Sequence, residues 1–171
     1  MEETVQFRRS LCCCPTACAR GAQSGAHPIF PSPSARGDRR RAHRAPRGGI
    51  VLVETGFVLG VDPSTVWAPD VAVVLRHRVP SPIPCAFFPG APDLAVEVLS
   101  PDDRPGEVAA RIADFLRAGA TAVWIVDPER RTFTAHTRGG ATRYAVGEVV
   151  RGEPPLAALV LSLVALFACL E

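Results

Sequence analysis

A chain of 171 residues, 47% of them apolar, is long enough for one domain with its own core and short for two, which excludes both a wholly disordered chain and a large multidomain enzyme. The net charge of +2 hides an asymmetry: residues 1–50 carry nine Arg against Glu2, Glu3 and Asp38, while the remainder carries ten Arg against fourteen acids, so a basic head precedes a mildly acidic body. All nineteen basic residues are Arg, which excludes any mechanism that needs a lysine ammonium.

Residues 1–49 are dominated by Arg, Pro, Ala, Ser, Gly and Cys, as in Phe30-Pro31-Ser32-Pro33-Ser34 and Arg39-Arg40-Arg41-Ala42-His43-Arg44. No helical or strand period persists there, so this segment is expected to be disordered. Its arginines suit phosphate contacts with nucleic acid, although a solvated run is the plainer reading. Cys12, Cys13, Cys14 and Cys18 cluster without a second Cys or His pair at zinc spacing, and Cys85 and Cys169 stand alone. Neither a zinc site nor a disulfide framework is expected. The acidic N-terminus has no signal-peptide core, so a reduced, cytoplasmic protein is expected.

From Ile50 the pattern changes. Ile50 to Val53 and Phe57 to Leu59 read as a strand or hairpin broken at Gly56. Val66 to Leu75, approached through the turn Asp62-Pro63-Ser64, reads as one strand, and a Pro-rich loop leads from it to Gly90. Asp93 to Leu99 is a third strand. Pro105 to about Ala118 predicts a helix with Val108, Ile112, Phe115 and Leu116 on one stripe and Gly119 as its cap. Ala122 to Val126 predicts a buried strand ending at Asp127-Pro128. Arg131 to Thr137 and Thr142 to Val146 predict a hairpin turning at Gly139-Gly140. The apolar run Leu156 to Leu170 is fifteen residues long, short of the roughly 20 that a membrane helix needs, so it is expected to pack in the core. Strand–helix–strand flanked by antiparallel pieces implies a mixed sheet in an α/β or α+β domain at residues 50–171.

Chemistry concentrates in two stretches, Ala68-Pro69-Asp70-Val71-Ala72-Val73-Val74 and Pro92-Asp93-Leu94-Ala95-Val96-Glu97-Val98-Leu99. Each sets a carboxylate in a β-branched run, where an acid is costly to bury without a compensating cation. On the second strand Asp93, Ala95, Glu97 and Leu99 share a face. Carboxylates on adjacent strands suit a hard divalent ion, Mg²⁺ or Mn²⁺. The plainer readings are a turn residue for Asp70 and a strand cap for Asp93.

Together with Glu54-Thr55-Gly56-Phe57, Phe88-Pro89-Gly90 and Val123-Trp124-Ile125-Val126-Asp127-Pro128, these stretches resemble the PD-(D/E)xK nuclease superfamily, and within it the Uma-type restriction endonuclease family. The resemblance covers about residues 50–168. It implies a restriction-endonuclease-like mixed β-sheet with a flanking helix, and metal-dependent hydrolysis of DNA phosphodiester bonds. Asp70 and Glu97 would hold the ion, with Asp93 and Glu54 as further candidates. The expected partner is DNA; a homodimer is left open, and no membrane is expected. Two departures stand out. The lysine position, two after Glu97, is Leu99, so the cation is expected from the helix at Arg111, for which a surface ion pair with Glu107 or Asp114 is the alternative. Family members also begin with an additional strand and helices, where this chain has its basic head; a truncated fragment, or an inactive nuclease fold serving as a binding or structural module, is therefore the rival expectation.

Overall fold

The computed structural model describes residues 42–45, 49–61, 64–84 and 86–170. The head's cysteine cluster, the arginines up to Arg41, the Asp62-Pro63 turn and Cys85 lie outside the described residues. Seven strands form one mixed sheet: β1 (Ala42–Ala45), β2 (Gly49–Val53), β5 (Val71–Val74), β7 (Leu94–Val98), β8 (Ala122–Asp127), β9 (Thr132–Thr137) and β10 (Gly140–Tyr144), neighbours in that order. Within this sheet only β7 and β8 run parallel among the described residues. A parallel pair cannot be joined by a tight turn, and helix α1 (Pro105–Arg117) supplies the crossover. Three further strands, β3 (Phe57–Val61), β4 (Ser64–Trp67) and β6 (Phe88–Pro89), make a small second sheet, and β11 (Val149–Arg151) pairs with β12 (Val160–Ser162) ahead of α2 (Leu163–Ala168).

The main sheet is covered on both faces. On one, Phe115, Val108, Ile112 and Leu116 of α1 pack against Ala91, Ala95, Val123 and Ile125. The alanines let the helix approach closely. The small sheet covers the same face alongside, with Phe57 and Phe88 against Leu52, Ala72 and Val74. On the other face Leu94, Val96, Trp124, Val126 and Phe133 meet Val150, Leu156, Leu163 and Phe167. The apolar C-terminal run is therefore core-packed as expected, divided between β12 and α2. Among the described residues no helix is long and apolar enough to cross a membrane.

Helix α1 begins with Pro105 in its first turn and Glu107 near its positive end. It ends as a Schellman motif: Gly119 sits at φ +108°, its N–H donates to the Leu116 carbonyl, and the Ala120 N–H donates to the Phe115 carbonyl. The chain emerges at Thr121, whose N–H donates to the Asp93 carbonyl, so β8 starts beside the start of β7.

Two expectations need correction. The single strand expected over Val66–Leu75 is two strands in different sheets, divided at Ala68-Pro69-Asp70. Pro69 has no N–H to give a ladder, and its ring is fully buried at the bend. Likewise the Ile50–Val53 and Phe57–Leu59 pieces are not one hairpin: β2 belongs to the main sheet and β3 to the small one. A third difference lies in the head. Ala42–Ala45, within the stretch expected to lack regular structure, is a strand pairing antiparallel with β2.

Candidate active site

The bend at Pro69 places Asp70 one residue ahead of β5. Strand β5 pairs with β7 antiparallel, Val71 opposite Val96, so continuing the register by one residue sets Asp70 opposite Glu97. Residues directly opposite across such a pair have Cβ atoms about 5 Å apart. Asp70 Oδ2 also accepts the amide N–H of Val98 at 2.7 Å, which holds its carboxylate over the end of β7. The pairing of β2 with β5, Val53 opposite Val71, extends the row to Glu54. Its N–H donates to the Asp70 carbonyl at 3.2 Å, and its backbone is in the left-handed region at φ 47°. Glu54, just after β2, and Asp70, just before β5, thus lie at strand ends neighbouring Glu97 in β7, with Glu54 exposed.

Glu97 is the buried member, 7% exposed, on the face that carries α1. Burial pushes its carboxyl up from 4.5 to about 7; the Arg111 guanidinium opposes the rise, and the Asp70 and Asp103 carboxylates add to it. A carboxyl held near neutrality among other acids marks a functional-site candidate.

Arg111 completes the group. Its Nη1 is 3.8 Å from Glu97 Oε2, and its Nη2 donates to Asp103 Oδ1 at 2.6 Å. Neither surface partner considered from the sequence takes it. Glu107 faces Arg104 at 3.9 Å, and Asp114 accepts from Arg117 at 2.6 Å and from the Trp67 indole N–H at 2.9 Å. The Arg111 Nε–H is buried and has no hydrogen-bond partner among the described residues.

Asp103 is the residue that sequence reasoning missed. Its Oδ2 accepts both the backbone N–H and the hydroxyl of Ser100, at 2.8 and 2.9 Å. These bonds, the Ser100 N–H first and then Arg111, hold its carboxyl below the usual range. In Ser100-Pro101-Asp102-Asp103 it reads as a turn former, and the only available signal was a second acid eight residues before a helical Arg.

Asp93, by contrast, is not brought to the site. Its Oδ1 accepts from Arg78 Nη1 at 2.9 Å and its Oδ2 from the Leu75 N–H at 2.8 Å, while Arg78 Nη2 donates to the Ala91 carbonyl. It stands four residues from Glu97, about 13 Å along an extended strand, at the opposite end of β7. Both carboxylate oxygens are committed to tying the loop after β5 to the start of β7.

No group of three or more His, Cys, Asp or Glu among the described residues is close enough to form an all-protein metal cage. Mg²⁺ does not require one, because it is commonly held by one or two carboxylates with waters and substrate phosphate completing the shell. The all-oxygen pair Asp70–Glu97 fits such an ion, which would offset both the burial of the Glu97 carboxylate and its repulsion by Asp70. A groove of 410 Å³ lined by Ser100, Pro101, Asp103, Val108, Ile112 and Arg130 opens beside Asp103. A larger hollow, 590 Å³, lies between Gly119–Thr121 and the β9–β10 turn, at the other end of the sheet from Glu97.

The mixed sheet with its crossover helix is a restriction-endonuclease-like fold. Residues 38–166 match the family model of Uma2, described as "Putative restriction endonuclease", and the chain belongs to that family. A solved structure from Anabaena variabilis, described as "a putative nuclease belonging to DUF820", is similar in fold with a TM-score of 0.64 and 26% sequence identity, over 73% of this chain and 71% of that one. A search of curated proteins found no match.

Proposed function

We propose that this chain is a Mg²⁺- or Mn²⁺-dependent endonuclease that hydrolyses DNA phosphodiester bonds. The observation that carries the reading is the opposition of Asp70 and Glu97 across β5 and β7, with Arg111 3.8 Å from Glu97. Asp70 and Glu97 would hold the ion, and Glu54, next in the row, is a candidate for its outer surroundings. When bound, such an ion supplies a water of lowered pKa and stabilises charge on a phosphoryl oxygen. Arg111 binds a non-bridging phosphate oxygen and stabilises the charge that develops on it; a guanidinium does not deprotonate, so it does not serve as the base. Water oxygen bonds to phosphorus and gives its proton to solvent, the bond from phosphorus to one sugar oxygen breaks, and that oxygen takes a proton from solvent.

The family membership and the similar Anabaena protein support this reading. Strand β1 and the family match from residue 38 favour a nuclease domain that begins near there rather than at residue 50. A cytoplasmic location, where DNA would be accessible, belongs to the same proposal. Nicking of supercoiled plasmid in Mg²⁺, with Asp70→Ala and Glu97→Ala alongside, tests the reaction: cleavage by the parent chain and none by the variants is expected.

One observation favours a second reading. Arg111 is already neutralised by Asp103 at 2.6 Å, and the usual lysine position is Leu99, as in a nuclease fold that has kept its shape and serves only to bind. Mn²⁺ calorimetry separates the two, since a scaffold without chemistry has no need of an ion.

A further inference from the structure

With Leu99 at the usual lysine position, the cation beside Glu97 is Arg111, and Asp103 explains how an arginine serves there. A lysine ammonium is a single point of charge on a flexible stem; a guanidinium presents several N–H groups in a fixed fork. Arg111 uses that fork, giving Nη2 to Asp103 and directing Nη1 toward Glu97. Asp103 is itself fixed, because its other oxygen is held by the N–H and hydroxyl of Ser100. Ser100 lies three residues after Glu97, just beyond β7. The chain therefore closes a ring from Glu97 through Ser100 and Asp103 to Arg111, and back to Glu97.

We propose that Asp103 is a positioning residue for Arg111: it orients the guanidinium so that one nitrogen remains beside Glu97, where the scissile phosphate oxygen is received. The inference rests on the nuclease reading above. Asp103 does not touch substrate in this account. It removes the rotational freedom of the long Arg111 side chain, and it couples the helix carrying the cation to the segment carrying the buried acid. A misplacement of about 1 Å at a phosphate-binding group is enough to cost roughly a hundredfold in rate. The simpler alternative is that Asp103 only closes the Ser100–Asp103 turn.

The test is a double-mutant cycle on the full chain, reading Mg²⁺-dependent cleavage of a labelled DNA duplex, with the ¹H–¹⁵N signal of the Arg111 Nε–H recorded without DNA or metal. Asp103→Ala is expected to lower kcat about 10- to 100-fold, with KM changed less than threefold. Asp103→Asn can offer its one carbonyl oxygen to Arg111 or to Ser100 but not to both, and is expected to fall between the parent and Asp103→Ala. In an Arg111→Ala background Asp103→Ala is expected to cause no further loss, because it acts only through that arginine. The Arg111 Nε–H signal, shut off from solvent in the parent, is expected to merge with those of exposed arginines in Asp103→Ala. Equal losses from Asp103→Ala with and without Arg111, or an unchanged Nε–H signal, would overturn the proposal. A parent chain that cleaves no DNA defeats the nuclease reading and with it the catalytic role of Asp103; the Nε–H signal still reports the hold on Arg111 independently.

Discussion

The carboxylate of Asp70 reaches from the start of β5 to accept the Val98 N–H at 2.7 Å, and this bond determines where it stands relative to Glu97. Val98 follows Glu97 directly, so any movement of β7 carries the Asp70 carboxylate with it. The hydrogen bond therefore couples the two acids across β5 and β7.

On the proposed reading, that pair would set the pH dependence of metal binding. Metal ligands must be deprotonated, and Glu97 holds its proton up to about pH 7 in the metal-free protein. Mn²⁺ affinity is therefore expected to rise about tenfold per pH unit below 7 and to level off above it. Calorimetry in buffers of different ionisation enthalpy checks this directly. Roughly one proton is expected to leave per ion bound near pH 6 and almost none near pH 8.5, and Glu97→Gln is expected to remove the pH dependence.

Glu97 also affects stability without metal. A carboxyl whose folded pKa is raised holds its proton more tightly in the folded chain, so its contribution is greatest below pH 4.5, is lost as pH rises to about 7, and is constant beyond. Glu97→Gln carries no charge to bury. Above pH 7 it is expected to melt higher than the parent by about 2–4 °C, the equivalent of about 1 kcal/mol after discounting for solvent screening. Near pH 4.5 the two are expected to coincide. Thermal melts in chelator at both pH values read the difference, and a gap that does not change with pH would argue against the buried charge.

Arg111→Ala removes the one cation facing Glu97 among the described residues. Loss of a preorganised donor to developing negative charge costs about 10²–10³-fold in kcat, and that loss is the expected result. Arg111→Lys is expected to fall between the alanine variant and the parent, because an ammonium has no second fork arm for Asp103. Steady-state kinetics of the three proteins rank them; a lysine variant faster than the parent would contradict this account of the fork.

Asp93 provides a contrast with Asp70. It is 4% exposed and bound to Arg78 and the Leu75 N–H, so Asp93→Ala is expected to destabilise the fold by roughly 1.5–3 kcal/mol. Mn²⁺ affinity of the folded fraction is expected to stay within twofold of the parent. Urea unfolding and calorimetry on the same sample separate these effects, and a metal affinity that collapses along with stability would return Asp93 to the site.

Helix α1 could be read from the sequence almost to the residue, because Pro105, the 108–112–115–116 stripe and Gly119 each report a local requirement. Strands β7 and β8 could be read for a similar reason: buried on both faces, they are continuous apolar runs. The division of Val66–Leu75 was signalled only by Pro69-Asp70, which suit a strand poorly; that β4 and β5 then join different sheets is decided by long-range competition that the sequence does not show. Strand β1 was hidden because its residues suit the sheet only through pairing with β2. Within the site, Asp70 and Glu97 could be found because a carboxylate is anomalous in an apolar strand. Asp103 could not, since an acid in a Ser-Pro-Asp-Asp turn is ordinary until the second turn of α1 brings Arg111 back over it.

The most direct test of the account is nicking of supercoiled plasmid by the full chain in Mg²⁺, with Asp70→Ala, Glu97→Ala and chelator controls. The account predicts cleavage by the parent that chelator abolishes, and a loss of a hundredfold or more in each variant, the equivalent of several kcal/mol of metal-supplied charge stabilisation. Cleavage that survives both substitutions, or that proceeds unchanged in chelator, would contradict it.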